Sequence, residues 1–218
     1  GKSEEVFVKR VAPQLDTHGT LHVLRPGFTA TDAKFYLCQF KPANRKNPKL
    51  LDIYKKNRLT AIRQLHYSLN NENSIDIVLF VNGLPVATAE LKTDLTQSAR
   101  DAINQYKKDR RPRDPRTREP EALLQFKTRA LVHFAVSTDL VFMATRLAGD
   151  ETYFLPFNIG KPDGVDVFSA GAGNPPAPAG KGYPTYYLWD FVWQPDNWLE
   201  ILGEFMHLEV KEVDEGGK

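Results

Sequence analysis

The spacing of apolar and polar residues changes period several times along the chain, and each change marks an element. SIDIVLFV (74–81) and LPVATAELK (84–92) have strand length and composition on either side of Asn82-Gly83, a dipeptide suited to the two left-handed positions of a hairpin turn. The first arm carries Ile77, Val78, Leu79 and Phe80 in succession, which predicts a strand buried on both faces. After Lys92 the period lengthens. Leu95, Ala99, Ala102, Ile103 and Tyr106 fall along one helical face, and Ser98 with Asp101 has the form of a capping box, so a helix is predicted over about 98–110.

The flanking segments are plainer. LLDIYKKN (50–57) suits a short helix, and RLTAIRQLHYSL (58–69) mixes β-branched, aromatic and basic residues as a strand does. A basic, proline-punctuated loop (111–120) leads to ALVHFAVST and LVFMATRL, two further β-rich segments. Residues 21–40 are aromatic and aliphatic, interrupted by Pro26-Gly27. The order strand, hairpin, helix, strand, strand predicts a mixed α/β layer with its functional loop between hairpin and helix. Six glycines and five prolines between Asn158 and Pro184 predict a long loop or linker. Beyond it Trp198, Leu199, Leu202, Phe205 and Met206 recur at helical spacing, as in a terminal helix packed on something apolar, such as a neighbouring domain.

Composition narrows the class. With 218 residues, 41% hydrophobic and 26% charged, the chain is expected to form one or at most two globular domains. No apolar run approaches the roughly 18 residues that span a bilayer, and Gly1-Lys2-Ser3-Glu4-Glu5 lacks the apolar stretch of a signal peptide. A soluble, cytoplasmic protein is expected. The single cysteine, Cys38, excludes an internal disulfide and a cysteine-based zinc site, and reads as a small buried hydrophobe. His66, His133 and the other three histidines have no metal-ligand spacing. Phe126, Trp189, Trp193 and Trp198 are expected in the core. The terminal GKS lacks the glycine-rich residues of a phosphate-binding loop, and neither Gly160-Lys161 nor Gly180-Lys181 is followed by Ser or Thr, so no ATP site is expected.

Net charge is only +2, but its distribution is uneven. Lys107, Lys108, Arg110, Arg111, Arg113, Arg116 and Arg118 are offset only by Asp109 and Asp114, whereas the tail from Glu204 is mainly acidic. Such a basic strip is either a solvated surface or a set of phosphate contacts.

Acidic-x-Lys is the candidate chemistry, because positions i and i+2 of a strand share a face and present an acid and an amine to one cleft. The chain has three examples: Asp32-Ala33-Lys34, Glu90-Leu91-Lys92 and Glu209-Val210-Lys211. The third follows Pro195-Asp196, but the intervening residues have a helical period that keeps the two acids turns apart. Asp32 has no evident partner acid. Only Glu90 has one on the opposite arm of a hairpin, Asp76. A strict two-residue turn pairs Val81 with Leu84 and therefore Asp76 with Ala89, leaving Glu90 on the other face. A three-residue loop or a single bulge brings Asp76 and Glu90 together, and Pro85, which cannot donate to a ladder, favours such an irregularity.

NRLTAIRQLHYS, SIDIVLFVNGLPVATAELK, QYKKDRRP, YFLPFN and GAGNPP together closely resemble the N-terminal nuclease domain of the type I restriction enzyme motor subunit, over about Leu21 to Leu208. The resemblance implies a restriction-endonuclease-like PD-(D/E)xK fold, a mixed β-sheet flanked by helices with a C-terminal linker and helix. It divides the chain into a nuclease domain (1–157), a Gly/Pro-rich loop or linker (158–185) and a helical segment (186–218) leading toward a helicase-like motor. It implies Mg²⁺ as cofactor, with ATP used by the motor. Asp76, Glu90 and Lys92 fall on its catalytic triad, with the Leu91 carbonyl as a further metal ligand. Gln105 falls on the glutamine of its Q-x-x-x-Y motif, whose tyrosine position holds Asp109 here, with Tyr106 beside the glutamine instead.

The implied activity is cleavage of double-stranded DNA without sequence choice, with Lys107, Lys108, Arg110, Arg111 and Arg113 holding flanking phosphates. Specificity and methyltransferase subunits of a type I complex are the implied partners. A non-catalytic DNA-clamping domain and a stand-alone repair nuclease are the rival readings.

Overall fold

A computed structural model describes residues 2–43, 46–93, 98–160, 171 and 173–209. Leu95, residues 161–170 and 172 of the Gly/Pro-rich segment, and the tail from Val210, including Val210-Lys211 of the third acidic-x-Lys, lie outside the described residues.

Six strands form a mixed sheet in sequence order: β3 (Leu59–His66), β4 (Ser74–Val81), β5 (Leu84–Leu91), β6 (Val132–Val136), β7 (Val141–Ala144) and β8 (Leu155–Pro156). Every neighbouring pair is antiparallel except β5 and β6. A parallel pair needs a crossover, and α4 (Ala99–Lys108) supplies it. The capping box at its start is present, Ser98 and Asp101 satisfying each other's backbone ends.

The apolar residues sort to the two faces. Val78, Ala135, Ala102, Tyr106, Leu123 and Leu124 pack between the sheet and α4. The other face of the sheet, including Ala87, Ala89 and Phe134, is covered by α1 (Lys2–His18), α2 (Thr20–Leu24) and the C-terminal segment. That segment is α5 (Pro195–Glu200) between two π-helical turns, and its Leu188, Trp198, Leu199 and Leu202 enter the same core as Phe134. The apolar surface behind the terminal helical pattern is thus the sheet itself. A small hairpin, β1 (Phe28–Ala30) and β2 (Ala33–Phe35), the short α3 (Pro48–Tyr54) and 3-10 turns at Ala122–Leu124 and Pro184–Tyr186 complete the described elements.

The strand buried on both faces is not β4. Ile77, Leu79 and Phe80 are only partly buried because β4 lies beside the exposed edge strand β3, whereas all five residues of β6 are buried at the centre of the sheet. Phe126 and Trp189 are also partly exposed, at 41% and 36%, unlike Trp198, and the guanidinium of Arg146 lies over the Phe126 ring. Cys38 is buried, and burial pushes its thiol up to about 12. Asp196 of the discarded motif is held by Lys41 and the Tyr54 hydroxyl. Among the described residues no helix is long and apolar enough to cross a membrane.

Candidate functional site

Asn82 and Gly83 both have left-handed backbone (φ 50° and 86°), as a two-residue hairpin turn on right-twisted strands requires. Asn82 also ties the turn to the body: its amide nitrogen donates to the Leu37 carbonyl at 2.7 Å, and its side-chain oxygen accepts from Arg58 N at 2.6 Å. Val81 pairs with Leu84 and Phe80 with Pro85, but Leu79 pairs with Ala87. Val86 is therefore an extra residue in β5, a bulge next to the proline that has no N–H to give. Beyond the bulge the register runs through Ile77↔Ala89, which makes Glu90 the position opposite Asp76. The irregularity that the sequence required for these acids to share a face is present.

Asp76 is half-buried, and each of its carboxylate oxygens accepts one hydrogen bond, from Gln64 Nε2 and from the Leu91 N–H, each at 2.8 Å, with lone pairs left for a further partner. Gln64 is held in left-handed backbone (φ 49°) in β3, at the interruption between the Arg63↔Ile77 and Leu65↔Ile75 pairs. A glutamine there spends local strain on placing a donor at Asp76. No residue pattern marks Gln64, because the β3–β4 offset depends on a loop whose length does not fix its turn.

Glu90 is the most enclosed acid of the site, with no exposed surface. Its Oε1 accepts from Arg110 Nε at 2.7 Å, while its Oε2 is buried without a hydrogen-bond partner. Burial pushes the carboxyl up, to about 7; Arg110 opposes this, and neighbouring Asp76 adds to it. On Arg110, burial works against the charge, but Glu90 beside it raises the guanidinium above its ordinary value.

Arg110 corrects the basic strip as read from the sequence. At 8% exposure and paired with Glu90, it belongs to the interior and not to a solvated phosphate-contacting face. The signal was available: Ala99, Ala102 and Tyr106 are the buried stripe of α4, and Arg110 is the next position at that spacing. Lys108, Arg110, Arg111 and Arg113 line one cleft of about 420 Å³, with Lys107 outside its lining. The loop carrying the last of these is built on Asp114, whose carboxylate accepts from Thr117 N, Arg116 N and Asn71 Nδ2 and is held at about 2 by those bonds.

Lys92 continues the β5–β6 pairing, its N–H donating to the Val136 carbonyl at 2.8 Å, so it follows Glu90 by one strand repeat. Gln105 is half-buried on α4, and its Oε1 is buried without a partner. Tyr106 is committed elsewhere: its hydroxyl shares a hydrogen bond with Thr88 Oγ1 at 2.8 Å, and Thr88 shares another with His133 Nδ1 at 2.8 Å. Burial drops His133 to about 3, leaving a neutral ring in a structural network. Asp109 is exposed at the end of α4.

Titration of Glu90 gives a stability prediction with a definite sign. Its folded value lies above the ordinary carboxyl value, so its contribution is full below the unfolded value and is lost as pH rises through about 7. Relative to Glu90→Gln, which does not titrate, the metal-free chain is expected to lose a few kcal/mol between about pH 5 and pH 8. Denaturant unfolding of both proteins across that range measures the difference, and a flat difference contradicts it.

The acids are few. Among the described residues no group of three or more His, Cys, Asp or Glu converges on one point, so any cation here relies on Asp76, Glu90 and backbone oxygen. That sparse oxygen set, with a buried unpartnered Glu90 Oε2, fits Mg²⁺, which is commonly held by one or two carboxylates with waters and substrate phosphate. Comparison with curated proteins finds no match, and comparison with solved structures finds none. The family described as type I restriction enzyme R protein N terminus matches residues 29–152, which include the bulged hairpin, α4, β6 and β7 and end before YFLPFN and GAGNPP. Covering more than half of the 218 residues, the match shows that the chain belongs to the family of type I restriction enzyme R protein N-terminal domains.

Proposed function

We propose that this chain is the divalent-cation-dependent DNA-cleaving domain of a type I restriction enzyme, cutting double-stranded DNA without choosing its sequence. The observation that carries the reading is the bulge at Val86, which sets Asp76 opposite Glu90 with Lys92 one strand repeat beyond. A regular hairpin of the same residues would separate the acids, so the bulge has a chemical consequence.

Asp76, Glu90 and the Leu91 carbonyl would hold Mg²⁺. When bound, the cation polarises the scissile phosphate and acidifies a coordinated water. Lys92 orients that water and offsets charge developing on the phosphoryl oxygens. Gln105, whose buried Oε1 has no partner among the described residues, positions Lys92 or a phosphate-bound water. Lys108, Arg111 and Arg113, exposed along the cleft, contact flanking phosphates, an interaction that carries no sequence information. Sequence choice and methylation then fall to separate specificity and methyltransferase subunits, and DNA pulling to an ATP-dependent motor.

The test uses two supercoiled plasmids of unrelated sequence. With Mg²⁺ the chain is expected to nick both at similar rates, to stop on chelation, and to lose activity on Asp76→Asn. DNA binding without nicking under any divalent cation favours the clamping role instead. Nicking that survives Asp76→Asn removes the site assignment.

A further inference from the structure

Of Tyr106, Asp109 and Arg110, at and just beyond the end of α4, only Arg110 is paired with an acid of the hairpin. Tyr106 is spent on Thr88, and Asp109 is exposed. Arg110 is buried, its N–H donates to the Gln105 carbonyl at 3.1 Å, and its Nε meets Glu90 Oε1 at 2.7 Å. The second oxygen of Glu90 is equally enclosed and, among the described residues, accepts no hydrogen bond that meets ordinary geometry, although Asp76 lies close by. A fully buried carboxylate with one oxygen satisfied and one bare is costly in a protein interior, and the imbalance points to a group that the bare oxygen takes up in function.

We propose, resting on the reading of Asp76 and Glu90 as the cation-binding pair, that Arg110 is a positioning residue for that pair. It fastens Oε1 and so leaves Oε2 as the Glu90 atom that takes the cation. The guanidinium fits this task because its planar fork fixes a carboxylate orientation, whereas a solvated lysine head leaves it free to rotate. Such partners of metal-binding carboxylates typically account for about 10–100-fold in metal affinity.

The experiment measures Mn²⁺ affinity of the full 218-residue chain by electron paramagnetic resonance, at a temperature well below the unfolding of every variant. Arg110→Met is expected to weaken Mn²⁺ binding about 10–100-fold, with Arg110→Lys recovering part of the loss. Adding Arg110→Met to Glu90→Gln is expected to cost no further affinity, because the arginine acts only through that carboxylate. If Arg110→Met does not fold, Arg110→Gln, which keeps a donor without the charge, takes its place. Mn²⁺ binding that depends on Asp76 but is unchanged or tighter in the Arg110 variant overturns this role alone. Wild-type Mn²⁺ binding that is absent, or insensitive to Asp76→Asn, overturns the pair reading and the Arg110 role together.

Discussion

In an assembled type I complex, Lys92→Ala is expected to lower DNA strand cleavage by about 10²–10⁴-fold while leaving ATP turnover at its wild-type rate. Lys92 sits one repeat past Glu90 on a strand end tied to Val136, and on the proposed reading its amine serves the cation held by Asp76 and Glu90. On the same reading, ATP turnover belongs to the separate motor and not to this cleavage site. Asp76→Ala is expected to differ from Lys92→Ala in kind. It removes a carboxylate and also frees the Leu91 N–H and Gln64 amide that it accepts from, so metal-induced stabilisation should fall along with cleavage. Lys92→Ala keeps both carboxylates and should keep most of that stabilisation. The measurements are strand cleavage, ATP turnover and the cation-dependent shift in thermal midpoint, made side by side. Cleavage at the wild-type rate in Lys92→Ala removes the lysine from the mechanism, and a parallel loss of ATP turnover means that the cleft communicates with the motor.

The hairpin was legible because its signal is local: Asn82-Gly83 dictates a turn, and Pro85 dictates where the ladder breaks. α4 was legible from its period and cap, and the mixed layer from the order of its elements. What could not be read depends on contacts distant in sequence. Gln64 meets Asp76 only through the β3–β4 offset, and Thr88 meets His133 only because β5 and β6 run in parallel after a crossover. The N-terminal helix α1 carries Pro13 and a sparse apolar stripe, with Val11 and Leu15 buried, too weak a period to announce seventeen helical residues. Arg110 lies between these cases. Its spacing marked it as buried, but its charge placed it with the surface strip, and a buried partner 20 residues away decided the matter.

The site has no foundation of its own, and the largest stability effect is expected at Phe134, on the opposite face of the sheet from α4. Phe134 pairs with Ala89, so it stands one residue from the Glu90↔Ala135 pair that carries the acid. Its side chain is 1% exposed, and its ring centroid lies 5.6 Å from Phe157, 5.7 Å from Trp193 and 6.3 Å from Trp198. Truncation removes the ring around which the C-terminal segment closes, and neighbours of that size and stiffness relax poorly into the space. Phe134→Ala is therefore expected to cost about 3–5 kcal/mol in denaturant unfolding, against less than about 0.5 kcal/mol for Phe205→Ala, whose ring is mostly exposed. Because the same core seats β5, cation binding at Asp76 and Glu90 should disappear at the denaturant concentration where the fold does, although Phe134 touches neither acid. A Phe134→Ala chain of wild-type stability would mean that the C-terminal segment does not depend on this ring, and separate midpoints for cation release and unfolding would make the hairpin site a unit that holds without the core beneath it.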